Sequence, residues 1–192
     1  MQPSFIIFSG LPGTGKSALA DRLAREFHLP LLRIDDLADC MPPGMDRGTT
    51  AFWDQAIFAL LLLAETQLKL GVSIIADSVF MNFDRSHAAA IALQTGARFL
   101  PVHTFISDEA VWKARVTERF ETCGPESGVA SWEQVTAQRR GFHPWERGTA
   151  LFVDAVRPLD ENYAVLREMI ADPTVVFQPL PDQPFTPGKY HG

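Results

Sequence analysis

Residues 5–20 read FIIFSGLPGTGKSALA, and three kinds of pattern follow one another within them. Phe5–Phe8 is a short, wholly apolar run, the pattern of a strand covered on both faces in a parallel sheet. Gly10–Ser17 fits G-x-x-x-x-G-K-[ST]. After it, Leu19, Leu23 and Phe27 recur every four residues with Ala20 and Ala24 beside them, which makes one apolar helix face. A glycine loop between a strand and a helix is the setting in which such a loop cradles a phosphate chain. Backbone N–H groups of Gly13 to Lys16 can wrap the phosphates, and the helix N-terminus adds partial positive charge. Lys16 would reach the outer phosphates, and the Ser17 hydroxyl would ligate Mg²⁺. The residues expected to hold the nucleotide are Gly10, Pro12, Gly13, Thr14, Gly15, Lys16, Ser17 and Ala18. The competing reading, a chance glycine-rich turn, is disfavoured by the strand before it and the helix after it.

The alternation continues down the chain. Strands are expected at Leu31–Ile34, Val72–Ala76, Phe99–Ile106 and Leu151–Val153. Helices are expected over roughly 51–69 (closed by Gly71), 85–94 (stopped by Gly96), from Ser107-Asp108-Glu109 onward, near Trp132–Arg140, and over Glu161–Ile170. The middle of the 51–69 helix, AIFALLLLA, is apolar all round, so it should be packed on more than one side. Strands alternating with helices mean an α/β fold built on a parallel sheet. One domain should cover 1–171, with an irregular segment rich in Gly, Pro and Trp at 121–148. Residues 172–192 form a proline-rich tail, in which Thr174–Phe177 could add an edge strand or belong to an extended arm.

Composition bounds the function classes. The chain has 192 residues, 46% hydrophobic and 21% charged, which suits a soluble globular protein with its own core. A formal net charge of −6 counts against nucleic acid as a partner. Cys40 and Cys123 lie far apart and fit no metal spacing, so they read as thiols of a reducing compartment. No apolar run is long enough to cross a membrane, and MQPSFIIFSG lacks the features of a signal peptide. A cytoplasmic location follows, and a homo-oligomer is compatible with this composition.

Four further groups carry chemistry. Asp77 ends the apolar stretch SIIAD, and ligands of open α/β sheets sit at the carboxyl ends of strands. It is the expected second Mg²⁺ residue beside Ser17, the alternative being a helix cap, a role for which Ser78 competes. Ser78 stands where a water-activating glutamate would follow in a motor ATPase, and no N-K-x-D base-reading motif occurs. The phosphate acceptor is then a hydroxyl rather than water. Asp35 and Asp36 follow the second strand; Asp35 is expected to face the cleft as the base and Asp36 to cap the next helix, against the reading that both only cap. Arg115 and Arg119 lie four apart on one helix face, where a polyanion would relieve their repulsion, or where Glu118 simply solvates the face with them. Arg139, Arg140, His143, Trp145 and Arg147 could form a substrate lid, while Trp132, Phe142 and Trp145 could equally pin the segment to the core. Arg85 is a further phosphate candidate.

The motifs GLPGTGKS, RIDDLADCMP, IIADSVF and KARVTERF together resemble those of small kinases related to chloramphenicol phosphotransferase, zeta toxins and polynucleotide kinases. The resemblance spans roughly residues 4–170. It implies a three-layer fold with a five-stranded parallel sheet of order 2-3-1-4-5 and helices on both faces. It also implies ATP with Mg²⁺ and transfer to a hydroxyl on which Asp35 acts, with Arg115 and Arg119 at the lid. Segment 121–148 matches no substrate-specific pattern. The acceptor therefore stays open: a small antibiotic-, sugar- or nucleoside-like molecule, or alternatively a polynucleotide 5′-hydroxyl. A nucleotide-binding switch that transfers nothing is the reading from a different class.

Overall fold

The computed structural model describes residues 2–42, 44–124 and 127–177. Its elements follow in the order β1 (Ser4–Ser9), α1 (Lys16–Phe27), β2 (Leu31–Arg33), α2 (Ile34–Asp39), α3 (Thr50–Lys69) and β3 (Ile74–Asp77). Then come α4 (Asn82–Thr95), β4 (Arg98–Phe105), α5 (Glu109–Cys123), α6 (Trp132–Arg139), β5 (Leu151–Asp154) and α7 (Leu159–Ala171). The five strands form one sheet of order β2-β3-β1-β4-β5, and each neighbouring pair is parallel.

β1 lies at the centre, and its side chains serve two layers alternately. Phe5 and Ile7 join the core under α3 and α4, whereas Ile6 and Phe8 join the core under α1 and α7. All four are fully buried. That double coverage is the reason the strand reads as an unbroken apolar run rather than an alternating one. Each such side chain contributes about 1.5–3 kcal/mol of burial. A third, smaller cluster joins Leu11 of the glycine loop to Trp112, Val116 and Val135 of α5 and α6.

Pro101 sits inside β4, opposite Ile7 of β1. Pairing of β4 with β5 begins only at Val102, opposite Leu151. Proline is thus placed where the strand is still an edge on that side, and no ladder bond is lost there.

Several boundaries differ from the sequence expectation. β2 stops at Arg33, and Ile34 already opens α2, so the strand is one residue shorter than the apolar run. β3 begins later than expected, at Ile74, and includes Asp77 as its last residue. α4 starts at Asn82, because the Asp84 carboxylate accepts from the Met81 N–H at 2.9 Å and closes the first turn three residues upstream of Arg85. α7 starts at Leu159. α5 starts within the expected Ser107–Glu109 stretch, with Asp108 as its N-cap accepting from Ala110 and Val111. α3 buries Phe52, Ala56, Ile57, Leu60, Leu61, Ala64 and Leu68, but Phe58, Leu62 and Leu63 remain 45%, 52% and 43% exposed. The expectation that this helix is covered on more than one side holds for the sheet, α2 and α4, and not for its outward face. Thr174–Phe177 adds no strand; Val175 and Phe177 instead pack on the α1–α7 core. The remainder of the proline-rich tail lies outside the described residues.

Asp84 supplies a stability prediction. Burial pushes its carboxyl up to about 6, opposed by the Met81 N–H. The folded pKa exceeds the unfolded one, so this carboxyl favours the fold fully below the unfolded value, near pH 4. That contribution is lost as pH rises through about 6. Asp84→Asn keeps an acceptor for Met81 and removes the buried charge. It should therefore raise stability at pH 8 by about 1 kcal/mol, or roughly 2–4 °C in Tm for a domain of this size. The gain should vanish at pH 4, and a gain of equal size at both pH values in thermal melts would contradict this account.

Candidate active site

The glycine loop is built by close approach. A Cβ on Gly10 would stand 2.3 Å from the Thr104 carbonyl oxygen of β4, and one on Gly13 would stand 2.6 Å from Val116 Cγ2 of α5. Gly13 also has φ +82°, in the left-handed region. The Thr14 side chain is buried: its hydroxyl donates to the Leu11 carbonyl at 2.7 Å and shares a hydrogen bond with Thr104 Oγ1 at 2.8 Å. Lys16 Nζ donates to the same Leu11 carbonyl at 3.2 Å. Trp112 Nε1 donates to the Pro12 carbonyl at 2.8 Å, so α5 holds the loop from outside. The loop is fixed from below by β4 and from the side by α5.

α1 begins at Lys16 with Gly15 as its N-cap, and no side chain caps it. Its first N–H groups are therefore free of intrahelical and side-chain partners and point into the loop. That is the donor set a phosphate chain requires. Gly15, Ser17 and Ala18 are exposed, and Lys16 is half-buried.

Around Lys16 lie the other charged groups named from the sequence. Burial lowers the Lys16 pKa; the carboxylates of Asp77 and then Asp35 raise it, and Arg119 lowers it. Asp77, at the end of β3, is 5% exposed. Burial raises its pKa, and Lys16, a hydrogen bond from the Ser17 hydroxyl and Arg33 pull it back, while Asp35 pushes it up. The Ser17 hydroxyl therefore lies beside the Asp77 carboxylate at the foot of the loop. Mg²⁺ takes few protein ligands, one or two oxygens with water and phosphate completing the shell. A hydroxyl and a buried carboxylate side by side fit that ion, and the uncapped helix start beside them fits the phosphates it would accompany.

Asp35 sits in the first turn of α2 rather than at a strand end, because β2 is one residue shorter than the apolar run. It is exposed, and its charge acts on both Lys16 and Asp77. Asp36 caps nothing: Arg33 is the N-cap of α2, no side chain caps that helix, and the Asp36 carboxylate faces Arg33 Nη1 at 3.8 Å. Arg33 also pairs with Asp21 of α1. The two adjacent acids differ in their surroundings: the Asp35 charge acts on Lys16 and Asp77, while Asp36 pairs with Arg33 instead of capping.

The arginine pair separates too. Arg119 acts on Lys16, whereas Arg115 Nη1 donates to the Ala155 carbonyl, after β5, at 2.8 Å. Arg119→Ala should then lower turnover by about 10²-fold while ATP affinity changes little, as for a donor that acts mainly in the transition state. Arg115→Ala should change turnover by no more than a few-fold. Steady-state kinetics on both variants decide between them, and equal losses would return both arginines to one role.

In segment 121–148, Trp145 is buried and Trp132 and Phe142 pack on the α5–α6 cluster, so the aromatics pin the segment. Arg139 pairs with Glu109 at 2.9 Å and lies over the Trp112 ring, while Arg140 and Arg147 are exposed. Arg85 does not face the loop. It is 4% exposed and lies between Phe142 and Trp145. Sequence reasoning missed Trp112, Thr104 and Ser9, which shape the loop from other elements; nothing local in the sequence marks them.

Residues 5–145 match an AAA domain family, AAA_33. The chain belongs to this family. No curated protein matches it. Among solved structures, this AAA-domain chain is similar to a proposed kinase from Chloroflexus aurantiacus, with 24% identity, 88% of this chain and 97% of the other covered, and a TM-score of 0.71. It is also similar to a sugar kinase from a Janibacter species (17% identity, 92% and 99% covered, TM-score 0.65). The Mycobacterium tuberculosis APS kinase, solved in complex with AMPPNP and APS, matches with 16% identity, 89% and 99% covered, and a TM-score of 0.63. At such identities the likeness establishes the shared fold, the five-stranded parallel sheet of order 2-3-1-4-5. Among the described residues no helix of the AAA domain is long and apolar enough to cross a membrane.

Proposed function

We propose that the chain is an ATP- and Mg²⁺-dependent phosphotransferase that moves the γ-phosphate to a hydroxyl of a small molecule. The observation that carries this reading is Asp35: a second, exposed carboxylate that acts on Lys16 and Asp77 and pairs with no described residue through an ion pair. A switch needs no such group. The kinase names of the similar structures, one of them holding AMPPNP, agree with it. So do the motifs shared with the chloramphenicol phosphotransferase, zeta toxin and polynucleotide kinase group.

Mg²⁺ held by Ser17 and Asp77 would neutralise charge on the phosphate oxygens. Lys16 supplies a fixed cation beside the loop, and Arg119 a second one from α5. Asp35 orients the acceptor hydroxyl and takes its proton late in transfer. Gly10 and Gly13, packed against β4 and α5, hold the loop in one shape so that these groups need little rearrangement. The acid-rich chain suits a small acceptor better than a polynucleotide. A cytoplasmic setting, where ATP is abundant, fits the same reading.

The test is a transfer screen with γ-labelled ATP against antibiotics, sugars, nucleosides and oligonucleotides. Label appearing on a small hydroxyl compound supports the proposal. Label on oligonucleotides alone would move the assignment to a polynucleotide kinase. ATP binding with no transfer to any class would point to a switch.

A further inference from the structure

A closed ring of hydrogen bonds, completed by short stretches of backbone, lies beneath the glycine loop. Trp145 Nε1 donates to Ser9 Oγ at 3.0 Å, and Ser9 Oγ donates to the Val79 carbonyl at 2.9 Å. The Gly10 N–H donates to the same carbonyl at 3.3 Å. One residue on, Arg85 Nε donates to the Phe80 carbonyl at 2.8 Å, and Arg85 Nη1 donates to the His143 carbonyl at 2.7 Å. The backbone from His143 to Trp145 closes the circuit.

The three side chains that make its bonds are buried, Ser9 fully and Arg85 and Trp145 to 4% exposure, and Phe80, whose carbonyl Arg85 holds, is fully buried too. The Arg85 guanidinium lies 4.7 Å from the Phe142 ring centroid and 4.8 Å from that of Trp145, held between two aromatic faces. Phe80 has φ +50°, a left-handed conformation that a bulky residue adopts only where its surroundings impose it. Arg85 holds the carbonyl of that residue.

The ring's position gives it a role. Ser9 and Gly10 are the entry to the glycine loop, and Val79 follows Asp77 by two residues, with the Ser78 N–H bound to the Phe8 carbonyl at 3.2 Å between them. The ring therefore ties the strand end that bears the loop to the strand end that bears the metal carboxylate. It does so through the last part of segment 121–148.

We propose that Arg85 and Trp145 are positioning residues that fix Asp77 relative to the glycine loop, so that Ser17 and Asp77 together meet one Mg²⁺. The inference rests on the phosphotransferase reading above. Outer partners of metal-holding residues act in this way, and their loss lowers metal affinity by about 10–100-fold. A mere staple for the loop would add stability and nothing else.

The experiment measures ATP affinity by calorimetry with Mg²⁺ and with EDTA, for wild type and Trp145→Phe, together with amide hydrogen exchange of the nucleotide-free protein. Trp145→Phe keeps an aromatic ring in place and removes the donor. The expected result is Mg²⁺-free ATP affinity within about two-fold of wild type and a Mg²⁺-dependent gain reduced by about 10-fold. Faster exchange at the Gly10 and Ser78 amides should accompany it. Should that variant not fold, Ser9→Ala breaks the same bond by deleting one buried oxygen, and carries the same readings. A folded variant with a lowered Tm but an unchanged Mg²⁺ gain and unchanged exchange at Gly10 overturns the proposal alone. A wild-type chain that binds no MgATP overturns the phosphotransferase reading and the proposal with it.

Discussion

Lys16→Ala is expected to leave the chain folded and to lower phosphate transfer by about 10³-fold or more, at the upper end of what removing one preorganised charge costs. Lys16 is desolvated in the fold, and desolvation is the largest influence on its pKa. Its removal therefore relieves a burial cost, and Tm should stay near that of wild type. The loss falls on function for two reasons. On the proposed mechanism, a cation beside the transferring phosphate disappears. Asp77 also loses the strongest group that opposes its upward shift, while Asp35 continues to push it up. Protons should then compete with Mg²⁺ more strongly at Asp77. Binding of MgATP by the variant should improve as pH rises over a range where wild-type binding is already flat. Turnover at wild-type rates in the alanine variant would remove the nucleotide-enzyme reading altogether.

Asp35→Asn is the second large effect. It keeps the shape of the side chain and removes its charge and basicity. Transfer should fall by about 10²-fold or more, the scale of lost general-base assistance, with ATP affinity nearly unchanged. Asp36→Asn is the control. Its carboxylate is 67% exposed and faces Arg33, so the substitution should alter both rate and stability little. The structure thus changes what the control should show: as a helix cap Asp36 would have affected stability, and as an exposed partner of Arg33 it should not. Slow transfer in Asp36→Asn with normal transfer in Asp35→Asn would exchange the two roles. Normal transfer in both would leave no carboxylate base after β2.

The strand–helix alternation and the loop were legible because their signals are local, whereas the sheet order came only with the family resemblance. Phe5–Phe8, the glycine spacing and Asp77 at the end of an apolar run each declare their place within a few residues. What escaped was set across the fold. The end of β2 depends on where Arg33 leaves β3, opposite Asp77, not on the apolar run that includes Ile34. The divergence of Arg115 from Arg119 depends on a carbonyl at Ala155, forty residues away in sequence. Arg85 resembles a phosphate ligand by type and by its place near a helix start. Only the aromatic pair from segment 141–145 shows that it is enclosed. Trp145 could be read as lid or as anchor, and its burial decides for anchor.

The place of β1 has a consequence for how the chain reaches its fold. β1 ends at Ser9, but its two neighbours begin only at Ile74 and Arg98. During synthesis the run Phe5–Phe8 leaves the ribosome long before either partner strand exists. For that interval a four-residue apolar stretch of strong β tendency has both edges open, the condition under which nascent chains stick to one another. Closing such distant pairs is also slow. Refolding yield from denaturant should therefore fall steeply with protein concentration. Synthesis slowed before residue 105 should prolong the dependence of the nascent chain on chaperones.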